Sequence, residues 1–107
     1  MTRFSVDIIR FCAEIRKDRN IHLLADQLMR SATSIGANII EAKASGSRRD
    51  YIHFFHIALK SANETEYWLK LVEETCLHLA SKAGGYSAEV QEIGKVIGAG
   101  ILTMKGR

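Results

Sequence analysis

Between positions 51 and 79 the chain repeats an uncharged residue at alternating spacings of four and three: Tyr51, Phe55, Ala58, Ala62, Thr65, Leu69, Val72, Cys76 and Leu79. No charge interrupts the series. That spacing is the seam of a long α-helix packed nearly parallel to its neighbours. It predicts a third helix from about Arg48 to Ala80, roughly 50 Å long at 1.5 Å per residue. The sequence contains no Pro, so its commonest helix breaker is missing and helix is expected nearly throughout. The class that fits is all-α, one domain over residues 1–107.

Three further segments carry helical patterns. The first, about Thr2 to Lys17, sets Phe4, Ile8, Phe11, Cys12 and Ile15 on one stripe. Asp18-Arg19-Asn20 is a polar break suited to capping the next helix. The second, Ile21 to Lys43 or Ala44, turns Leu24, Leu28, Ile35 and Ile39 inward, with Gly46 placed for a left-handed residue past its end. Ser47, with Asp50 three residues later, reads as a capping-box-like start to the third helix. Gly84-Gly85 reads as a break, and Ser87 as the cap of a fourth helix carrying Val90, Ile93, Ile97, Ile101 and Met104.

The long third helix has a second apolar stripe containing Phe54, Ile57, Trp68 and Leu71. A helix apolar on two sides needs two partners. Either a second subunit covers these four residues, which makes them an oligomer interface, or the bundle core surrounds the helix on both sides. Ser61 and Glu64 interrupt the stripe, and Asn38 and Glu41 follow a run of small residues in the second helix. Buried polar groups need partners. Arg30, Asn38, Glu41, Ser61 and Glu64 are therefore expected to form a polar network fixing helix register, the alternative being that both Glu side chains reach solvent.

Charge is uneven. Of a net +3, the excess lies in residues 1–50, which hold nine Lys/Arg against six Asp/Glu. Lys43, Arg48 and Arg49 cluster at the corner KASGSRRDY between the second and third helices, where exposed helix amides also favour an anion. Lys60 continues the basic track, and Tyr51 and His53 are placed to stack on a base. The expected nucleic-acid contacts are Lys43, Arg48, Arg49, His53 and Lys60; the alternative is a well-capped, solvated corner.

Other chemistry finds little support. Asp50, His53 and His56 lack zinc spacing, and Cys12 and Cys76 belong to no CxxC pair, so no metal or cofactor is expected. No GxSxG-type nucleophile context occurs, and the expectation is a non-enzyme. The apolar run Val96–Met104 is too short to span a bilayer. Arg3 and Asp7 interrupt any signal peptide, and a cytoplasmic protein is expected.

The run QLMRSATSIGANIIEAKASGSRRDYIHFFHIALKSANETEYWL resembles the four-helix bundle family encoded in intervening sequences of bacterial 23S ribosomal RNA genes. That family's pattern is like RRAxxSIxxNIAEG, a short basic corner, then FxxFLxIAxGSxxE. Arg30, Ser34, Ile35, Asn38, Ile39, Glu41, Phe54, Ile57, Ala58, Ser61 and Glu64 stand at matching positions. Gly36 departs from a common Pro, and Ala42 from a usual Gly. The resemblance implies an antiparallel up-down four-helix bundle assembling into a ring-like homo-oligomer, a pentamer. It also implies likeness to the accessory variability protein of diversity-generating retroelements, which binds nucleic acid and a reverse transcriptase through basic surfaces. The partners it implies are further copies of the chain, RNA or DNA, and a protein such as a reverse transcriptase; no membrane is expected. Five copies at +3 each give a formal charge of +15, and repetition of one weak basic patch raises avidity.

Overall fold

A computed structural model describes residues 1–106. Its four α-helices are α1 (Thr2–Ile15), α2 (His22–Ala44), α3 (Arg48–Thr75) and α4 (Ala80–Lys105), with a 3₁₀ turn at Leu77–Leu79. No strand occurs among the described residues. The helices run up and down in a rod of 47 × 19 × 19 Å. Among the described residues no helix is long and apolar enough to cross a membrane.

The charge-free seam forms the spine of the core. Ala58, Ala62, Thr65, Leu69, Val72, Cys76 and Leu79 are all buried, while Tyr51 and Phe55 at its start are half-buried. Its alanines let α2 and α4 come close on either side, and larger residues fill the rest. Phe4, Ile8, Phe11, Cys12 and Ile15 of α1 are buried as their stripe requires, as are Leu28 and Ile35 of α2 and Val90, Ile97 and Ile101 of α4. The Phe11 ring lies 5.1 Å from Tyr86 of α4, and Phe4 meets the same ring edge-on at 6.5 Å. The Cys12 thiol points at the Ala25 carbonyl, 3.4 Å away, and burial pushes its pKa up to about 11.

α1 is the short helix. Its first turn sits against Gly36, with Met1 and Ser5 nearest. α2 continues eight residues further, so the α2–α3 corner projects about 12 Å beyond the start of α1. That end of the rod is built from three helices.

Four details of the helix ends differ from the sequence expectation. α3 ends at Thr75 rather than Ala80. Glu73 and Glu74 place negative charge at the helix's negative end, which the dipole disfavours. Thr75 turns its hydroxyl back onto the Leu71 carbonyl at 2.6 Å, and Cys76 leaves the helix in an extended conformation while staying buried. After the 3₁₀ turn the chain enters α4 at Ala80, so Gly84-Gly85 and Ser87 lie inside that helix and neither break nor cap it. One α4 glycine has a packing reason to set against about 1 kcal/mol of lost helix propensity: a Cβ on Gly100 would stand 2.9 Å from the Phe55 ring.

At the end of α2, Gly46 does not take a positive φ; Ser45 carries the exit in an extended conformation, its hydroxyl bonded to the Ala42 carbonyl at 2.6 Å. Asp18 closes a local turn by accepting from the Asn20 amide at 2.9 Å, and α2 starts without a side-chain cap.

Candidate nucleic-acid interface

The α2–α3 corner is built by short polar side chains. Ser47 caps α3 by accepting from the Asp50 amide at 3.1 Å. With the bend closed locally, its cations have nothing to hold and stand outward: Lys43, Arg48 and Arg49 are all exposed. So are Glu41 and Asp50, leaving the corner one positive charge in excess. None of the three cations is in an ion pair among the described residues; the pairs found involve Arg3, Arg16, Lys82 and Lys95 instead.

Along α3 the spacing four, three, four carries Arg49, His53, His56 and Lys60 onto one exposed row. No acidic residue occurs between positions 51 and 63. Opposite it, α2 has no charge at all from Ser31 to Ile40. His53 is also edge-on to Phe54, with ring centroids 5.4 Å apart. Tyr51 is not on this row. Its ring is half-buried and stacked on Phe55 at 4.7 Å, which removes it from the set available to a base. Among the described residues no group of three or more His, Cys, Asp and Glu side chains is placed to hold a metal ion.

The polar residues along the same seam meet in a way only part of the pattern foretold. Ser61 and Ser34 bond hydroxyl to hydroxyl at 2.9 Å across α3 and α2. Asn38 donates to the Ser34 carbonyl and hydroxyl oxygens at 2.8 and 3.0 Å. One turn along, Thr65 Oγ1 lies 2.9 Å from Ser31 Oγ and 2.7 Å from the Ser61 carbonyl. Glu64 accepts from the Trp68 indole at 3.2 Å, within α3. Arg30 and Glu41 stand apart from this ladder: Arg30 donates to Gln27 at 3.1 Å and Glu41 is exposed. Ser31, Ser34 and Thr65 are partners that the expected network lacks. Their signal is present in the sequence, since Ser31, Ser34 and Asn38 recur at three and four on α2, as Ser61 and Thr65 do on α3.

Beside the ladder lies a groove of about 270 Å³ lined by Arg30, Ser31, Ser34, Ile57, Lys60, Ser61 and Glu64. Five of these stand at positions of the 23S intervening-sequence motif: Arg30, Ser34, Ile57, Ser61 and Glu64.

The second apolar stripe is not left in water. Phe54, Ile57, Trp68 and Leu71 are each half-buried within the single chain, and Trp68 packs against the core. The large exposed apolar side chains lie elsewhere, among them Ile40 at 69%, Val96 at 72% and Leu102 at 73%. Depressions of about 490 and 290 Å³ meet at Met1 and Ile39, with Ile40 lining the first and Val96 the second.

A family model described as 23S rRNA-intervening sequence protein matches residues 1–99. Among solved structures, the chain is similar to a protein with unknown function from the S23 ribosomal protein family of Bacteroides thetaiotaomicron VPI-5482. The two are 37% identical with a TM-score of 0.87, over 94% of this chain and 93% of that one. No curated protein matches the chain.

Proposed function

The chain belongs to the 23S rRNA-intervening sequence protein family, and from that premise we propose a non-enzymatic, cytoplasmic, self-associating bundle that binds RNA or DNA through the α2–α3 corner. One observation carries the reading: Lys43, Arg48 and Arg49 are exposed, outside every ion pair among the described residues, at a corner that the serine cap already shapes without them. Contacts of this kind are to phosphate and carry little base specificity. Self-association, in the ring-like pentamer that the family resemblance suggests, multiplies one modest patch into an avid surface. The exposed Ile40 and Val96 supply apolar area for such contacts between copies.

The test is anisotropy of a labelled structured RNA and a matched DNA duplex, titrated at several salt concentrations. Affinity falling log-linearly with salt is expected, and the double variant R48A/R49A weakens binding and lowers the slope by about one to two with helix content unchanged. Equal affinity and slope in wild type and variant would remove the corner from the account.

A second reading rests on the same exposed apolar side chains. They also suit a scaffold that docks another protein, such as a reverse transcriptase, with nucleic acid incidental. A protein partner that survives nuclease treatment in a pull-down favours the scaffold.

A further inference from the structure

The groove between α2 and α3 presents a hydroxyl that the chain's own bonds leave free to donate outward. Ser34 and Ser61 have two hydroxyl hydrogens, and the bond between them uses one. Asn38 approaches Ser34 as a donor, so it takes neither. Among the described residues no acceptor receives the second hydrogen, and both hydroxyls line the groove. Arg30 and Lys60 are exposed at its sides. Arg30 uses one of its five donors on Gln27, and Lys60 is in no ion pair among the described residues. The one carboxylate present, Glu64, accepts from the Trp68 indole. A guanidinium, an ammonium and a surplus hydroxyl around one small groove form a donor set for an oxyanion.

The surroundings of the groove decide which oxyanion. Lys60 ends the exposed row that starts at Arg49 in the corner, with His53 and His56 between them. Eleven residues of helix separate Arg49 from Lys60, about 16 Å. Neither the facing stretch of α2 nor residues 51–63 of α3 contains a carboxylate. For a strand whose bases keep the roughly 3.4 Å stacking repeat, 16 Å corresponds to about five phosphates.

We propose that this groove binds a backbone phosphate of the same nucleic-acid strand that the corner engages, so that Arg30, Lys60 and the Ser34–Ser61 pair form the far end of a track along the α2–α3 seam. The proposal rests on the nucleic-acid reading of the corner and names a second, separate contact point. The strand is single-stranded where it crosses the row, because the imidazoles of His53 and His56 stand exposed where unpaired bases stack.

The experiment is anisotropy of labelled single strands of 4, 8 and 12 nucleotides, as RNA and as DNA, with the matched duplex alongside. The proteins are wild type, R30Q/K60Q and R48A/R49A, with folding checked by circular dichroism. Wild type is expected to gain tenfold or more in affinity between 4 and 8 nucleotides, the length at which both ends are reached. R30Q/K60Q is expected to abolish that gain and to lower the salt slope on the 8-mer by about one to two. S34A, which keeps both cations, is expected to lose about threefold on the 8-mer. Comparison of the RNA and DNA arms identifies which strand the track prefers.

An R30Q/K60Q protein that matches wild type at every length and salt overturns the groove, even if R48A/R49A shows the corner to bind. Loss on R30Q/K60Q with none on R48A/R49A would leave a phosphate site in the groove but overturn the track that joins it to the corner. Failure of wild type to bind any strand at low salt overturns both.

Discussion

The rod turns through two tight corners that bracket α3, and they are held by different physics. At the α2–α3 corner the bend is closed by side-chain oxygens: Ser45 onto Ala42, and Ser47 receiving the Asp50 amide. Every residue from Gly46 to Asp50 is exposed. At the α3–α4 corner the bend is closed by burial. Cys76 and Leu79 are only 4% and 6% exposed, and the 3₁₀ turn between them presents Leu77 and His78 outward while tucking both anchors in. A corner held by local hydrogen bonds leaves its surface chemistry unconstrained. A corner held by burial cannot change its side chains without disturbing the core. The contrast explains why the charged, outward-facing cluster sits at the first corner.

Three substitutions break or sharpen this contrast. Leu79→Ala is expected to cost about 3 kcal/mol, because a large buried side chain leaves a cavity the surroundings fill only in part. Thermal unfolding should show a midpoint lowered by more than about 10 °C. A loss below about 1 kcal/mol would mean that burial does not hold the α3–α4 corner. Ser47→Ala is next, at about 1 kcal/mol, the usual worth of a helix cap. Should denaturant titration give it the same cost as Leu79→Ala, the two corners would not differ in what holds them. Gly46→Ala is the smallest, expected within about 0.5 kcal/mol of wild type. Gly46 has no positive φ, and nothing lies within 4 Å of a Cβ placed there. A large loss on that change would show a conformational demand on the glycine that its backbone does not display.

The same contrast marks how far the sequence can be read. The seam of α3 is legible because helical periodicity and burial are one signal, and Ser47 is legible because capping is local. The corner at Cys76 is not. Cys76 and Leu79 stay buried on both sides of it, and the seam's spacing continues unbroken through the bend. Gly84-Gly85 misleads for a related reason. Local propensity argues for a break there, whereas the burial of Ala83, Ser87 and Val90 holds the helix together. At the site, the cations of the corner can be named from their clustering. The ladder can be named only by half, since which hydroxyl meets which depends on how α2 and α3 are rotated and slid against each other. Arg30 and Glu41 group with it by proximity in sequence, yet one points to Gln27 and the other to solvent. The stripe holding Trp68 asks for cover by its pattern, and the chain's own bundle half-buries that side chain.

The Ser34–Ser61 and Ser31–Thr65 contacts act together as a key in a slot. Displacing α3 along α2 would break both pairs at once, a cost that smooth hydrophobic faces would not impose. The two helices therefore behave as one machined part, and the spacing between the cations of the corner and those of the groove is set before any ligand arrives. In the proposed binding mode, a strand laid along them would have no helix to realign, so little of its binding energy would be lost to ordering the protein.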